Sequence, residues 1–303
     1  MKPHISVLLN ESIEYLNIKE DGIYVDCTLG FAGHSSEILK RLKKGKLFAF
    51  DQDGEAIEYS KKILDSISNN YEIINSNFKN LRDELHKRGI KRVDGILFDL
   101  GVSSVQLDDA KRGFSYHKDA KLDMRMNQNQ KLSAYEVVNE YSLDDLVRIF
   151  YEYGEEKYAK SIAKSIIENR PIETTLELSE IIKSSVPEKY RNASHPARKV
   201  FQAIRIEVND ELNVFETALK DAIDILDTGG RLCVITFHSL EDRICKNIFK
   251  KESEINKFYK GLPEIPDEYK PKVKIIKKIK PSKKELEENN RSRSAILRVI
   301  EKL

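Results

Sequence analysis

Three aspartates each close an apolar run: Asp26 after "GIYV", Asp51 after "KLFAF" and Asp99 after "VDGILF". Between the first two lies "DCTLGFAGHSSEILKRL", residues 26–42, where Gly30, Ala32 and Gly33 crowd a turn ahead of a helix-like pattern. A strand, a tight turn and a helix make a nucleotide-type cleft at the carboxyl edge of a sheet. The dinucleotide fingerprint needs glycines spaced G-x-G-x-x-G, and Thr28 holds the first of those positions, so that match fails. Asp51 follows the turn by about twenty residues, where a carboxylate can accept hydrogen bonds from both hydroxyls of a ribose. A ribose-binding acid, no phosphate cradle and a further acid at Asp99 fit S-adenosylmethionine better than NAD. The turn amides and the helix N-terminus would then meet the methionine carboxylate.

For these acids to share one edge, the runs that carry them must be strands of one sheet. Residues 22–27, 46–51, 71–76 and 93–100 are short and β-rich, and "HSSEILKRL", "GEAIEYSKKILDSI" and "FKNLRDELHKRG" between them have helical spacing. That is the βαβ rhythm of a parallel sheet covered on both faces. From about 104 to 206 the strand signal gives way to amphipathic helices, with Ser142/Asp145 and Thr174/Glu177 at capping-box spacing. A long helical pattern then starts near Pro196 and is expected to end at Gly229 and Gly230. Residues 230–237, "VKIIKKI" and "AILRVI" are late strands. The expected fold is one α/β sheet, built by residues 1–103 and 207–303, with an all-helical domain, 104–206, inserted for substrate recognition.

Composition narrows the class further. A 303-residue chain that is 40% hydrophobic and 34% charged is that of a soluble globular protein with one large core or two smaller ones. No apolar run approaches the ~20 residues of a membrane span, and "MKPHISVLLNESIEYL" lacks the pattern of an export signal. Cys27, Cys233 and Cys245 form no CxxC pair, which points to reduced thiols in the cytoplasm and away from a zinc site or any other metal. The net charge is only +2, but "KPKVKIIKKIKPSKK" (270–284) holds eight lysines and no acid, and "RSRSAILRV" follows. That end of the chain is suited to a polyanion.

Ten segments occur in order: "HISVLLNESIEYL", "DCTLGFAGHS", "FDQDGEAI", "FKNL", "DGILFDLGVSSVQLDDAKRGFSY", "LDMRM", "NRPIETT", "HPARKVFQAIRIEVNDEL", "GGRLCVITFHSLEDRI" and "RSRSAILRV". Together they closely resemble the bacterial 16S rRNA cytosine-N4 methyltransferase family, from His4 to Val299. The resemblance implies a class I, Rossmann-like methyltransferase sheet with an inserted helical domain. It also implies methylation of a decoding-centre cytidine of 16S rRNA in the small ribosomal subunit, with S-adenosylmethionine as cofactor. The cofactor-binding positions it implies are Ala32, Gly33 and His34 in the turn, Asp51, Phe78 in "FKNL", Asp99, and Gln106 in "SSVQLD". One departure stands out, since the family usually has glycine where this chain has Ala32, a residue that suits a close turn only at negative φ or with left-handed strain absorbed.

The residues themselves bear on the acceptor atom. Carbon-5 methylation of cytosine needs a cysteine nucleophile, typically after proline; no cysteine here follows proline, and Cys27 and Cys233 fall inside expected strands. Transfer to the exocyclic nitrogen needs no covalent intermediate, only an acceptor for its N–H bonds and alignment of nitrogen, methyl and sulfur. Asp99 is the catalytic candidate, in contact with the cofactor, the amine or both; "LGV" follows it where amino-methylating enzymes often have Pro-Pro-aromatic. His238 is either a structural hydrogen-bonding group or a substrate contact, and His195 is either a helix cap or a site residue. Arg112 and Arg125 are either phosphate ligands or solvated loop residues, and Phe114 and Tyr116 beside Arg112 offer a stacking surface. A DNA amino-methyltransferase, a non-catalytic RNA-binding assembly factor and an NAD-dependent reductase are the rival readings. A homodimer is left open.

Overall fold

The computed structural model describes residues 6–102, 106–107, 109–193, 195–255, 258–259 and 264–303, and the side chains of 193 and 268 are not described. His4, where the family likeness begins, and Ser103, Ser104 and Val105 of the Gln106 motif lie outside these residues. The chain forms two compact units, one made of residues 1–101 and 212–303 and the other of residues 102–211. Among the described residues no helix is long and apolar enough to cross a membrane.

The first unit holds a seven-stranded sheet: β1 (Ile23–Asp26), β2 (Lys46–Asp51), β3 (Tyr71–Asn75), β4 (Val93–Asp99), β5 (Leu226–Thr236), β6 (Val273–Ile279) and β7 (Ile296–Lys302). The spatial order is β3-β2-β1-β4-β5-β7-β6. The pairs β1/β2, β1/β4, β2/β3 and β4/β5 are parallel, and β7 runs antiparallel to both β5 and β6. Helices α1 (Leu9–Leu16), α2 (Gly33–Leu39), α3 (Gly54–Asp65) and α4 (Leu81–Lys87) punctuate the first half. Both faces of the central strands are buried, which is why these strands are nearly continuous apolar runs. In β2, Phe48 and Phe50 join Val25, Phe98, Phe215 and Leu219 on one face, while Leu47 and Ala49 join Leu16, Ile38, Leu97 and Ile235 on the other.

The second unit is helical: α5 (Ala134–Glu140), α6 (Leu143–Glu152), α7 (Ala159–Glu168), α8 (Thr175–Ser184), α9 (Glu188–Ala193) and α10 (Ala197–Asn209). Val137, Ile149, Phe150, Ile162, Ile166, Leu178, Val200 and Ile204 form its core. The Thr174/Glu177 box is complete on both sides, and Ser142 Oγ accepts from the Asp145 amide. A third box, Ser133/Glu136, starts α5.

The long helix expected from Pro196 to Gly230 is two helices, α10 and α11 (Glu211–Ile225), with Asp210 between them in the left-handed region at φ 49°. Apolar spacing runs on through the break, so periodicity did not reveal it. Aspartate tolerates this conformation better than most residues, and the Asn209 amide next to it is tied to the Met124 and Arg205 carbonyls. Nor do the glycines end a helix. The chain passes from Ile225 straight into β5, and Gly229 and Gly230 lie where its register against β4 shifts between Val93 and Gly95. The first unit is completed by α12 (Ser239–Ser253) and α13 (Lys283–Glu288).

Candidate active site at the carboxyl edge of the sheet

β2, β1 and β4 are parallel neighbours, so the acids that end them emerge at one edge. The turn after β1 is pinned to β2 and to α3. The Leu29 amide donates to the Phe50 carbonyl at 2.9 Å, the Gly30 amide donates to Asp51 Oδ2 at 2.9 Å, and Ser60 Oγ donates to the Gly30 carbonyl at 2.7 Å. Ala32 adopts the left-handed conformation (φ 61°, ψ 22°) and is fully buried. A left-handed L-residue costs on the order of 1–2 kcal/mol. Here that strain is held by the Ala32 amide on the Leu29 carbonyl and by the Ser36 amide on the Ala32 carbonyl, both 2.8 Å. Gly33 makes room for a different neighbour: a β-carbon there would fall 1.8 Å from Oγ of the buried Ser6 and force that hydroxyl to move.

Asp26 is buried and spent on the turn. Its Oδ2 accepts from Ser35 Oγ at 2.6 Å, and its Oδ1 accepts from the Thr28 amide and hydroxyl at 3.0 and 3.3 Å. Thr28 Oγ1 also accepts from the Asp99 amide at 2.7 Å, joining the ends of β1 and β4. Sequence reasoning gave no role to Asp26, Thr28 or Ser35; the short D-x-T spacing, which lets a side chain fold back onto its own backbone, was the available signal.

Asp51 also bonds backbone, at the Gly30 amide and, through Oδ1, at the Asp53 amide (2.9 Å). Burial raises its carboxyl to about 6 against those hydrogen bonds. Each carboxylate oxygen has a second lone pair, so two further donors, such as a ribose diol, can be accepted. Asp99 differs. Its Oδ2 stands 3.5 Å from Nδ1 of the buried His34, while its Oδ1 is closed to solvent with no hydrogen-bond partner among the described residues. Burial, then the nearby carboxylates of Asp26 and Glu241, push its carboxyl well above the usual range. A buried acceptor left open is costly unless a ligand supplies the donor.

Phe78 opens a short 3-10 turn, Phe78–Asn80, after β3 and packs edge-on against Phe98 with ring centroids 5.6 Å apart. The preceding Asn77 donates to the Gln52 side chain, tying this turn to the end of β2. Thus Ala32, Gly33, His34, Asp51, Phe78 and Asp99 all belong to this edge of the first unit. Gln106 belongs to the second unit, where it is buried in a helical turn. His238 begins α12 with Nε2 3.0 Å from Glu241 Oε1. Glu241, which sequence reasoning passed over, is buried and also accepts from the Phe237 amide at 2.7 Å.

Within the helical unit the basic and aromatic candidates are committed to structure. Arg112 is buried and donates to the Arg125 and Met126 carbonyls, and Arg125 makes paired bonds to both oxygens of Asp123. Phe114 lies in the core, and Tyr116 stacks on His195 at 4.8 Å with His117 beside it. Burial lowers the His195 imidazole below its usual value. Neither arginine is a solvated loop residue, and the Phe114 ring is not an open platform. All three cysteines are buried and burial pushes their thiols up, so none is a thiolate nucleophile at neutral pH.

The whole chain, residues 1–303, matches the model of the MraW methylase family. It is 56% identical to Ribosomal RNA small subunit methyltransferase H of Exiguobacterium sibiricum, over 100% of this chain and 99% of that protein. Among solved structures it is similar to an rRNA methylase from Streptococcus thermophilus (14% identity, 99% of both chains covered, TM-score 0.46). It is also similar to TrmN from Thermus thermophilus (11% identity, 98% of this chain and 48% of that one, TM-score 0.45). These structural likenesses are faint, and the assignment rests on the sequence match. A turn without the dinucleotide glycine spacing, braced by Asp51 and beside an Asp99 oxygen with no partner among the described residues, fits the methyl donor of such enzymes, and the chain belongs to the S-adenosylmethionine-dependent MraW methylase family.

Proposed function

We propose that this protein transfers a methyl group from S-adenosylmethionine to the exocyclic N4 of a decoding-centre cytidine, position 1402 of 16S rRNA, in the small ribosomal subunit of the cytoplasm. The relative from Exiguobacterium sibiricum, named for methylation of small-subunit ribosomal RNA, supports the substrate class. The observation that carries the choice of atom is Oδ1 of Asp99 at the end of β4, closed to solvent and without a hydrogen-bond partner among the described residues. An exocyclic amine brings N–H donors that such an oxygen lacks, whereas ring attack at carbon-5 calls for a thiolate that three buried cysteines do not provide.

In this reading Asp51 takes the ribose hydroxyls, the turn at Ala32, Gly33 and His34 faces the methionine end of the cofactor, and Phe78 lines its pocket. Asp99 accepts an N–H of the amine, which localises the nitrogen lone pair and aligns it for in-line attack on the sulfonium methyl. The N–C bond forms as the S–C bond breaks, and the amine proton leaves through Asp99 to solvent. The helical unit recognises the RNA, and the target base is turned out of its stack to reach the edge. Digestion of small-subunit RNA methylated by the purified protein, followed by mass spectrometry, is expected to yield N4-methylcytidine. A 5-methylcytidine product defeats the assignment.

A further inference from the structure

Topology returns the most basic part of the chain to the edge that carries Asp99. In the sheet register Asp99 is opposite Ile235, Ile235 opposite Leu297, and Leu297 opposite Ile279. Three strand spacings separate the ends of that row, about 14 Å. Because β7 is antiparallel to its neighbours, the connection that leaves β6 after Ile279 and enters β7 at Ile296 lies wholly at this carboxyl edge. It carries Lys280, Lys283, Lys284, Arg291 and Arg293, all exposed.

The connection is anchored at one place and braced within itself at another. Glu285 of α13 is half-buried, and its Oε1 accepts from the Leu8 amide at 2.7 Å. Leu8 is buried in the left-handed region (φ 52°), two residues after the Ser6 that abuts Gly33. Downstream, the 3-10 turn Asn290–Ser294 is closed by the buried Ser292, whose Oγ donates to the Asn289 carbonyl at 2.7 Å. Acids are present too: Glu288 lies 4.0 Å from Lys284, and Glu287 is exposed. Lys280, Lys283 and Arg293 have neither an ion pair nor a side-chain hydrogen bond among the described residues.

We infer that this connection is the phosphate-binding rim of the active site, with Lys280, Lys283 and Arg293 holding the phosphodiesters of the RNA strand on one side of the target nucleotide. The inference rests on the RNA substrate proposed above. A base turned out into a cleft leaves its strand single and its flanking phosphates exposed, and fixed cations beside the cleft hold that strand without reading its sequence. A backbone tethered through Glu285 to Leu8 and closed on itself at Ser292 keeps those cations in place.

The test is binding of the full-length protein to purified small subunits between 50 and 200 mM KCl, with cofactor affinity measured in parallel by calorimetry. For Lys280→Gln/Lys283→Gln/Arg293→Gln, three lost contacts at about 0.7 each make the log–log salt slope shallower by about 2, and affinity near 100 mM falls about a hundredfold. Cofactor affinity and melting temperature stay at the wild-type values. Lys44→Gln/Lys91→Gln, which removes exposed lysines just ahead of β2 and β4 at the opposite edge, leaves the slope unchanged. A triple variant with wild-type affinity and slope overturns the rim alone. If the wild-type protein neither binds nor methylates small subunits, the proposed substrate falls and the rim falls with it.

Discussion

The ends of β1 and β4 are side by side, and each carries an acid, Asp26 buried and Asp99 partly exposed with its Oδ1 closed to solvent, yet the two are used in opposite ways. At the end of β1, Asp26 has both oxygens occupied by Ser35 and Thr28, so its surroundings already supply every donor it needs. At the end of β4, Asp99 has one oxygen near His34 and the other facing no donor among the described residues. Thr28 serves the first carboxylate and only the backbone of the second. Two residues of one type at equivalent strand ends thus become a brace and an open acceptor. The deciding factor is where neighbouring hydroxyls fall. Burial raises both carboxyls above their ordinary range, so the shift alone does not tell them apart; the hydrogen bonds do.

The comparison predicts that substitution at Asp99 damages the reaction and substitution at Asp26 damages the fold. The largest effect is expected for Asp99→Ala, a loss of about 100-fold or more in single-turnover methylation of small subunits, the usual scale for a lost acid–base partner. Its urea midpoint should fall less than that of Asp26→Ala, because only Oδ2, 3.5 Å from His34 Nδ1, has a partner to lose among the described residues. Asp99→Asn, which keeps one acceptor oxygen, should retain more activity than the alanine variant. A wild-type rate in Asp99→Ala, with cofactor bound normally, would erase the distinction.

Asp26→Ala is the reciprocal experiment. It strips partners from Ser35 Oγ and from the Thr28 amide and hydroxyl in a dry site, at a cost of about 2–4 kcal/mol in unfolding free energy. Asp26→Asn, which can still accept at one oxygen, should recover part of that loss. Unchanged stability in Asp26→Ala would mean that the brace at β1 does not brace.

A smaller effect sharpens the position of Asp51 between these extremes, since its oxygens hold backbone amides and still have lone pairs to offer. Asp51→Ala should weaken S-adenosylmethionine binding by roughly 1.5–3 kcal/mol, the range of charge-assisted hydrogen bonds. The carboxyl of the free protein titrates at about 6, raised by burial, so the ionised form, which accepts from two hydroxyls, prevails above that pH. Cofactor affinity measured by calorimetry should be level above pH 6 and fall below it, approaching tenfold per unit. A flat profile from pH 5 to 8 would place the ribose elsewhere.

Fold and site were legible to different degrees, for physical reasons visible in particular residues. The strands could be seen because a parallel sheet buried on both faces demands unbroken runs such as "KLFAF", and the acid that ends each run marks the carboxyl edge. Helix starts at Thr174 and Ser142 could be seen because a cap is a local hydrogen bond. The break at Asp210 could not, since apolar spacing is indifferent to one left-handed residue. Nor could the fate of Arg112 and Arg125, whose guanidinium groups end on carbonyls and a carboxylate that the folded loop brings to them.

What the sequence determined by itself is the set of local decisions: which segments are strands or helices, that a turn rather than a phosphate cradle follows Asp26, and which family the chain resembles. These depend on periodicity, capping and residue type, all read within a few positions. Only the tertiary structure decided which carboxylate is saturated and which is open, because Ser35, Thr28 and Asp99 meet through the pairing of β1 with β4. Only the tertiary structure brings the basic connection to the edge of Asp99, because that depends on β7 running antiparallel to β5 and β6. Direction and pairing of strands are long-range choices made by burial of the whole sheet, and no short stretch of sequence contains them.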